Sequence, residues 1–160
     1  MGIIGYSQGG AGALRALTMF ENGKNYKTIF TGSAAYPLLA KNMGWEYDVT
    51  KVNIPYFMTS ETGTSDNTGV ADIENKYGGV SPLKAVIQNY NQIPESTSKI
   101  RARVTGAEHG DMLDRTDGYM TAWMLYQLKG DEEAEKVFLG DNAEILTNKN
   151  WQDVEKIFNN

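Results

Sequence analysis

Apolar and polar positions change period several times along this chain. Residues 1–6 (MGIIGY) form a short apolar run that predicts a strand, and Ser7 follows in a turn. Over residues 8–21, Ala13, Ala16, Leu17 and Phe20 fall on one stripe at helical spacing, which Asn22-Gly23 ends. Residues 28–31 (TIFT) predict a buried strand running into Gly32-Ser33. After a loop-rich stretch through Trp45 and Tyr47, residues 54–59 (IPYFMT) predict another, with Pro55 tolerated at its start. The small polar run SETGTSDNTG predicts a long turn. Ser81-Pro82 predicts a helix start with a cap and a first-turn proline, lined on one face by Leu83, Val86, Ile87 and Tyr90. Residues 99–105 alternate, putting Ile100, Ala102 and Val104 on one side, and lead into the loop GAEHGDM. A helix is expected from about Asp117 to Lys129, ended by Gly130, and Asp131 caps a short acidic one with Gly140 past its end. The last segment, WQDVEKIF, is amphipathic through Trp151, Val154, Ile157 and Phe158.

Strands alternating with helices predict an α/β protein: about four mostly parallel strands with helices on both faces. Such sheets place their chemistry in loops at the carboxyl ends of the strands. No repeat, low-complexity tract or linker divides the chain, so residues 1–160 read as a single domain. Composition changes this picture only by exclusion. With 41% hydrophobic and 22% charged residues, the chain is neither a disordered tail nor a fibre. A net charge of −5 argues against nucleic-acid and anionic-membrane partners. The absence of cysteine excludes disulfides and thiolate metal sites. No apolar run approaches the ~20 residues that span a bilayer. No signal-peptide pattern opens the chain, and the compartment is unread, since any targeting segment would lie upstream. The chain has one histidine, His109, so any chemistry that needs imidazole must use it.

Gly5-Tyr6-Ser7-Gln8-Gly9 matches G-x-S-x-G between a predicted strand and a predicted helix, where the pattern has a mechanism. A sharp strand-to-helix turn lifts the serine hydroxyl clear of the backbone, and close backbone approach there accounts for a glycine two residues to either side. The helix start aims the Gln8 N–H at the same spot, where it can stabilise an oxyanion. His109 follows a later strand in a loop of small residues. Chain order then asks for an acid between them, and Asp66 in GTSDN is chosen because a compact turn holds it after IPYFMTS. Glu61 and Asp72 are the rivals, and a plain turn role is the alternative for Asp66. Asp111 and Asp114 stand too near His109 in sequence and read as loop or helix-start residues.

GYSQGG, IPYFMTSETGTSD and TGAEHGDM, followed by TAWMLYQLKGDEEAEKVFLG, resemble the second half of a serine α/β-hydrolase, within the group of cutinase-like polyester hydrolases and chlorophyllase-like esterases. The resemblance covers nearly the whole chain. It implies a carboxylic ester hydrolase with Ser7 as nucleophile, Asp66 as acid, His109 as general base and acid, and Gln8 as one oxyanion donor, without cofactor or metal. Members of that family carry strands and helices ahead of the elbow, including a loop with a second oxyanion donor, whereas this chain begins at the elbow strand. A partial α/β-hydrolase domain lacking the N-terminal strands is therefore expected, with the bare edge of the elbow strand open to self-association.

Other classes fit less well. Gly9-Gly10-Ala11-Gly12 lacks the Lys-Ser/Thr of a phosphate loop, and one histidine with carboxylates scattered in sequence does not read as a metal site. Trp123, Trp151 and the methionines read as packing residues, Trp45 as a core residue or the border of a pocket, and residues 131–136 as a solvated helix face. The expected partner is a small or polymeric ester. A serine peptidase on the same fold and a non-catalytic remnant that keeps the elbow as structure are the alternatives.

Overall fold

The computed structural model describes residues 1–68 and 77–159. Its centre is a five-stranded sheet in which neighbours in space are neighbours in sequence: β1 (Gly2–Tyr6), β2 (Thr28–Gly32), β3 (Tyr56–Glu61), β4 (Lys99–Val104) and β5 (Trp151–Ile157). The first four run parallel, paired Gly2 to Thr28, Ile29 to Tyr56 and Tyr56 to Lys99. Their carboxyl ends therefore share one edge, which positions everything described below.

The fifth strand differs from the expectation of about four. All of WQDVEKIF but its final Phe158 is an antiparallel strand on β4, with an irregularity in register between Arg101 and Arg103. Asp153 lies at φ 54°, and its carboxylate pairs with Arg103 at 2.8 Å.

Helices cover both faces, as parallel strands require. On one face, α1 (Gln8–Thr18) and α3 (Leu83–Gln92) bury Ala11, Leu14, Val86 and Tyr90 against Ile29, Tyr56 and Met58. Between them in sequence lies the short α2 (Pro37–Asn42). On the other face, α4 (Met112–Lys129) seats Met112 and Trp123 on Phe30, Phe57, Ile100 and Ala102, and Phe138 joins from the turn after the four-residue α5 (Glu132–Glu135). Ile29 and Phe30, and likewise Tyr56 and Phe57, belong to opposite cores because successive strand residues point to opposite faces. A further short helix, α6 (Glu144–Thr147), buries Ile145 beneath β5.

Several predicted boundaries move. α1 ends at Thr18 and hands over to a 3-10 turn at Glu21–Asn25. Pro82 stands at the N-cap of α3 in extended conformation instead of inside its first turn. α4 starts at Met112, earlier than the expected Asp117, because Met112 and Thr116 bury themselves on the core. Trp45 lies over Gly12 of α1, and Trp123 is fully buried with its indole N–H on the Ile29 carbonyl. Among the described residues β1 pairs only with β2, and Ile4 of β1 is 49% exposed beside Met120, Met124 and Leu128 of α4. Among the described residues no helix is long and apolar enough to cross a membrane.

Candidate active site

Ser7 occupies the single residue between β1 and α1, at φ 54° and ψ −122°. A non-glycine residue held there is strained by about 1–3 kcal/mol and persists only where its surroundings over-determine it. They do so here. The Ser7 N–H donates to the Gly32 carbonyl at 2.8 Å, and the Ser7 carbonyl accepts from Gly10 at 3.0 Å and Ala35 at 3.4 Å. A β-carbon on Gly5 would lie 2.2 Å from the Gly9 carbonyl oxygen, and one on Gly10 would lie 2.8 Å from the Ala34 methyl. Gly9 corrects the symmetric reading of the motif: it has open space, so the turn demands Gly5 and Gly10 and leaves Gly9 free.

Strain at Ser7 aims its hydroxyl along the sheet edge to His109, whose Nε2 lies 2.9 Å from Ser7 Oγ. On the far side of the ring, Nδ1 lies 2.8 Å from Asp66 Oδ1. Hydroxyl, imidazole and carboxylate form one continuous line across the ends of β1, β3 and β4. Asp66 is 0% exposed and the His109 side chain 21%, so the line is buried at the carboxylate and reachable at the serine.

Two loops must be locked together for that line to form. Beyond β3, the Gly63 N–H donates to the Ala107 carbonyl at 2.9 Å, and Thr62 Oγ1 accepts from the Gly106 N–H at 2.8 Å. A β-carbon at Gly63 would lie 2.4 Å from the Glu108 carboxylate, so glycine permits the approach. A tight turn, with the Asp66 and Asn67 N–H groups on the Gly63 carbonyl, then swings Asp66 under the imidazole. The His109 loop is fixed at its own end by a reciprocal cap between Glu108 and Asp111. Tyr6, the residue before the elbow, donates its hydroxyl to the His109 carbonyl and lays its ring 5.0 Å from the imidazole. Burial, followed by the charges of Glu61, Asp66 and Asp111, pushes the Tyr6 phenol up to about 12, so it stays a donor.

Ser7, Asp66 and His109, singled out from the sequence, are thus brought together. Gln8 opens α1, so its N–H has no acceptor within the helix and projects beside Ser7. Of the rivals for the acid, Asp72 lies outside the described residues. Glu61 ends β3, fully buried, and meets Asp66 and Ser33 instead of the imidazole. Asp111 and Asp114 serve the start of α4, as expected.

Sequence reasoning missed Ser33 and the role of Tyr6. Ser33 follows β2 at φ 43°, a second strained serine beyond a strand, and its hydroxyl reaches both Glu61 and Asp66. The expectation that carboxylates lie scattered also needs correction, since Glu61, Asp66 and His109 offer ligand atoms within 4.8 Å of one another. In this arrangement, however, both imidazole nitrogens are engaged, by Asp66 and by Ser7.

Comparison with protein-family models and with curated proteins gives no match for this chain.

Proposed function

We propose that this protein is a serine hydrolase of α/β-hydrolase type that cleaves carboxylic esters through an acyl-enzyme. One observation carries the reading: Ser7 Oγ, His109 and Asp66 are joined by contacts of 2.9 and 2.8 Å, with the serine held at a strained strand-to-helix turn. A hydroxyl so placed has a base at hand, and the base has a buried carboxylate to hold its tautomer.

In the first half-reaction Ser7 Oγ attacks the ester carbonyl while Nε2 of His109 takes its proton. Asp66 stabilises the imidazolium through Nδ1. The carbonyl oxygen gathers negative charge at the start of α1, where the Gln8 N–H donates to it. The intermediate collapses, the C–O bond to the alcohol breaks, and Nε2 returns the proton to the leaving oxygen. Water, deprotonated by the same nitrogen, then attacks the acyl carbon and releases the acid and the Ser7 hydroxyl. No cofactor enters this sequence. The free edge of β1, with Ile4 and the α4 methionines beside it, adds self-association to the proposal.

Hydrolysis of p-nitrophenyl butyrate tests the reading against a p-nitroanilide of matched acyl group. Ester turnover that falls by roughly 10⁴–10⁶ in Ser7→Ala and about 10⁴ in Asp66→Asn supports it. Faster cleavage of the anilide would make the protein a peptidase, and ester turnover unchanged in Ser7→Ala would overturn the proposal.

A further inference from the structure

The machinery described so far leaves a buried carboxyl unused. Glu61 and Asp66 are both 0% exposed, and their carboxyl groups meet at the hydroxyl of Ser33, which touches Glu61 Oε2 and Asp66 Oδ2. That hydroxyl has one hydrogen and can donate to one carboxyl at a time. Two carboxylates in such contact, shut away from water, cannot both be charged, so the pair must hold a proton.

Its position follows from counting donors. Asp66 is supplied by the His109 ring at 2.8 Å and by the Glu61 N–H on Oδ2 at 3.0 Å. Glu61 Oε2 has Ser33 and a share of its own backbone N–H, and Glu61 Oε1 is buried with no donor among the described residues. An ionised Glu61 would leave a bare charge there, whereas a neutral one turns the contact with Asp66 into a hydrogen bond. We propose that Glu61 is a positioning residue which keeps its proton at neutral pH and donates it to Asp66, fixing the carboxylate that orients His109. This rests on the hydrolase reading for its purpose, though not for the location of the proton.

Burial, followed by the hydrogen bond to Asp66, pushes the Glu61 carboxyl up to about 9. The groups that face it are Asp66 and Ser33 from the loops beyond β3 and β2, with Tyr6 of β1 and His109 of the β4 loop completing the cluster. None of the groups setting its ionisation is a lysine or arginine. Above that pH a second negative charge arises beside Asp66 and the donated hydrogen bond is lost.

Because His109 is the chain's one histidine, its ring resonances are unambiguous. In a ¹H–¹⁵N titration of the full chain, they should show, second to any inflection at lower pH, an inflection at about 9 as Glu61 ionises. Glu61→Gln keeps an N–H donor for Asp66 and an acceptor for Ser33 but cannot titrate, so the second inflection should vanish. In ester turnover, Glu61→Gln should keep kcat within about threefold of the parent and lose the parent's alkaline decline, while Glu61→Leu should lose about tenfold to a hundredfold in kcat with little change in KM. Should Glu61→Leu fail to fold, the titration of the parent and the Gln variant decides alone. A parent without the second inflection, or a Gln variant that retains it, overturns the assignment, as does a Gln variant as slow as the Leu variant. A protein that shows the inflection but no Ser7-dependent turnover would retain the Glu61 proton and refute the hydrolase reading separately.

Discussion

Substituting the two motif glycines one at a time separates a turn that needs them sterically from one that merely contains them. A methyl group at Gly5 would stand 2.2 Å from the Gly9 carbonyl oxygen, 2.7 Å from its carbon and 2.8 Å from the Gly10 α-carbon. All three obstacles are backbone, so no side chain can swing aside. Ordinary contact begins near 3.4 Å. The elbow must therefore open by about 1.2 Å, which as overpacking costs about 1–3 kcal/mol and lowers Tm by roughly 3–10 °C for a domain of this size. The same movement carries Ser7 Oγ away from a nitrogen now 2.9 Å distant, and a 1 Å misplacement costs on the order of 10²-fold in rate. Gly9 gives the opposite expectation. With nothing within 4 Å and a helical position, Gly9→Ala should raise stability by roughly 0.5–1 kcal/mol and leave turnover within a few-fold. Thermal unfolding followed by circular dichroism, with p-nitrophenyl butyrate turnover, reads both quantities. Equal damage from the two substitutions, or a Gly5→Ala protein as stable and active as the parent, would refute the steric account.

Other expectations follow from single contacts. Tyr6→Phe removes the hydroxyl that holds the His109 carbonyl; kcat should fall about threefold to tenfold while the protein stays folded, and an unchanged kcat would show that the loop is held without it. Because the Glu61 carboxyl is raised from 4.5 to about 9, the folded state holds a proton that the unfolded state loses between those values. Its contribution to stability is complete below about 4.5 and declines as pH rises toward about 9, so urea midpoints of Glu61→Gln should gain on the parent across that window; a constant difference would contradict this. Ester turnover should be indifferent to EDTA, since both nitrogens of His109 are engaged by protein groups, and loss of activity restored by added metal would contradict it. Sedimentation velocity should show average mass rising with concentration and Ile4→Lys abolishing the rise; a monomer at all concentrations would remove the β1 edge as a contact.

The parallel strands and the line of Ser7, His109 and Asp66 were legible in the sequence for different physical reasons. Strands covered on both faces read as short apolar runs between turns, which is how TIFT and IPYFMT announce β2 and β3. β5 hid because Trp151, Val154 and Ile157 recur every third residue, and Asp153 at φ 54° breaks the two-residue alternation a strand otherwise displays. The start of α4 hid behind Asp111, Asp114 and Gly118, residues that locally favour turns and are overruled by Met112 and Thr116 burying themselves on the core. Ser7 was legible through its glycines and His109 through being alone. Asp66 followed from chain order and its compact turn. The carboxyl pairing at Ser33 was not legible, because it depends on a register that sets the end of β2 beside the end of β3. Nothing in the local sequence distinguishes Ser33 from an ordinary serine after a strand.

The claim on which the rest depends is that Ser7 is an activated nucleophile, and an alkyl fluorophosphonate tests it without any choice of substrate. Incubation of the folded protein should give one adduct per chain, located at Ser7 by peptide mapping, absent in Ser7→Ala and strongly slowed in His109→Ala. A folded protein that stays unmodified, or one labelled equally in Ser7→Ala, would contradict the account.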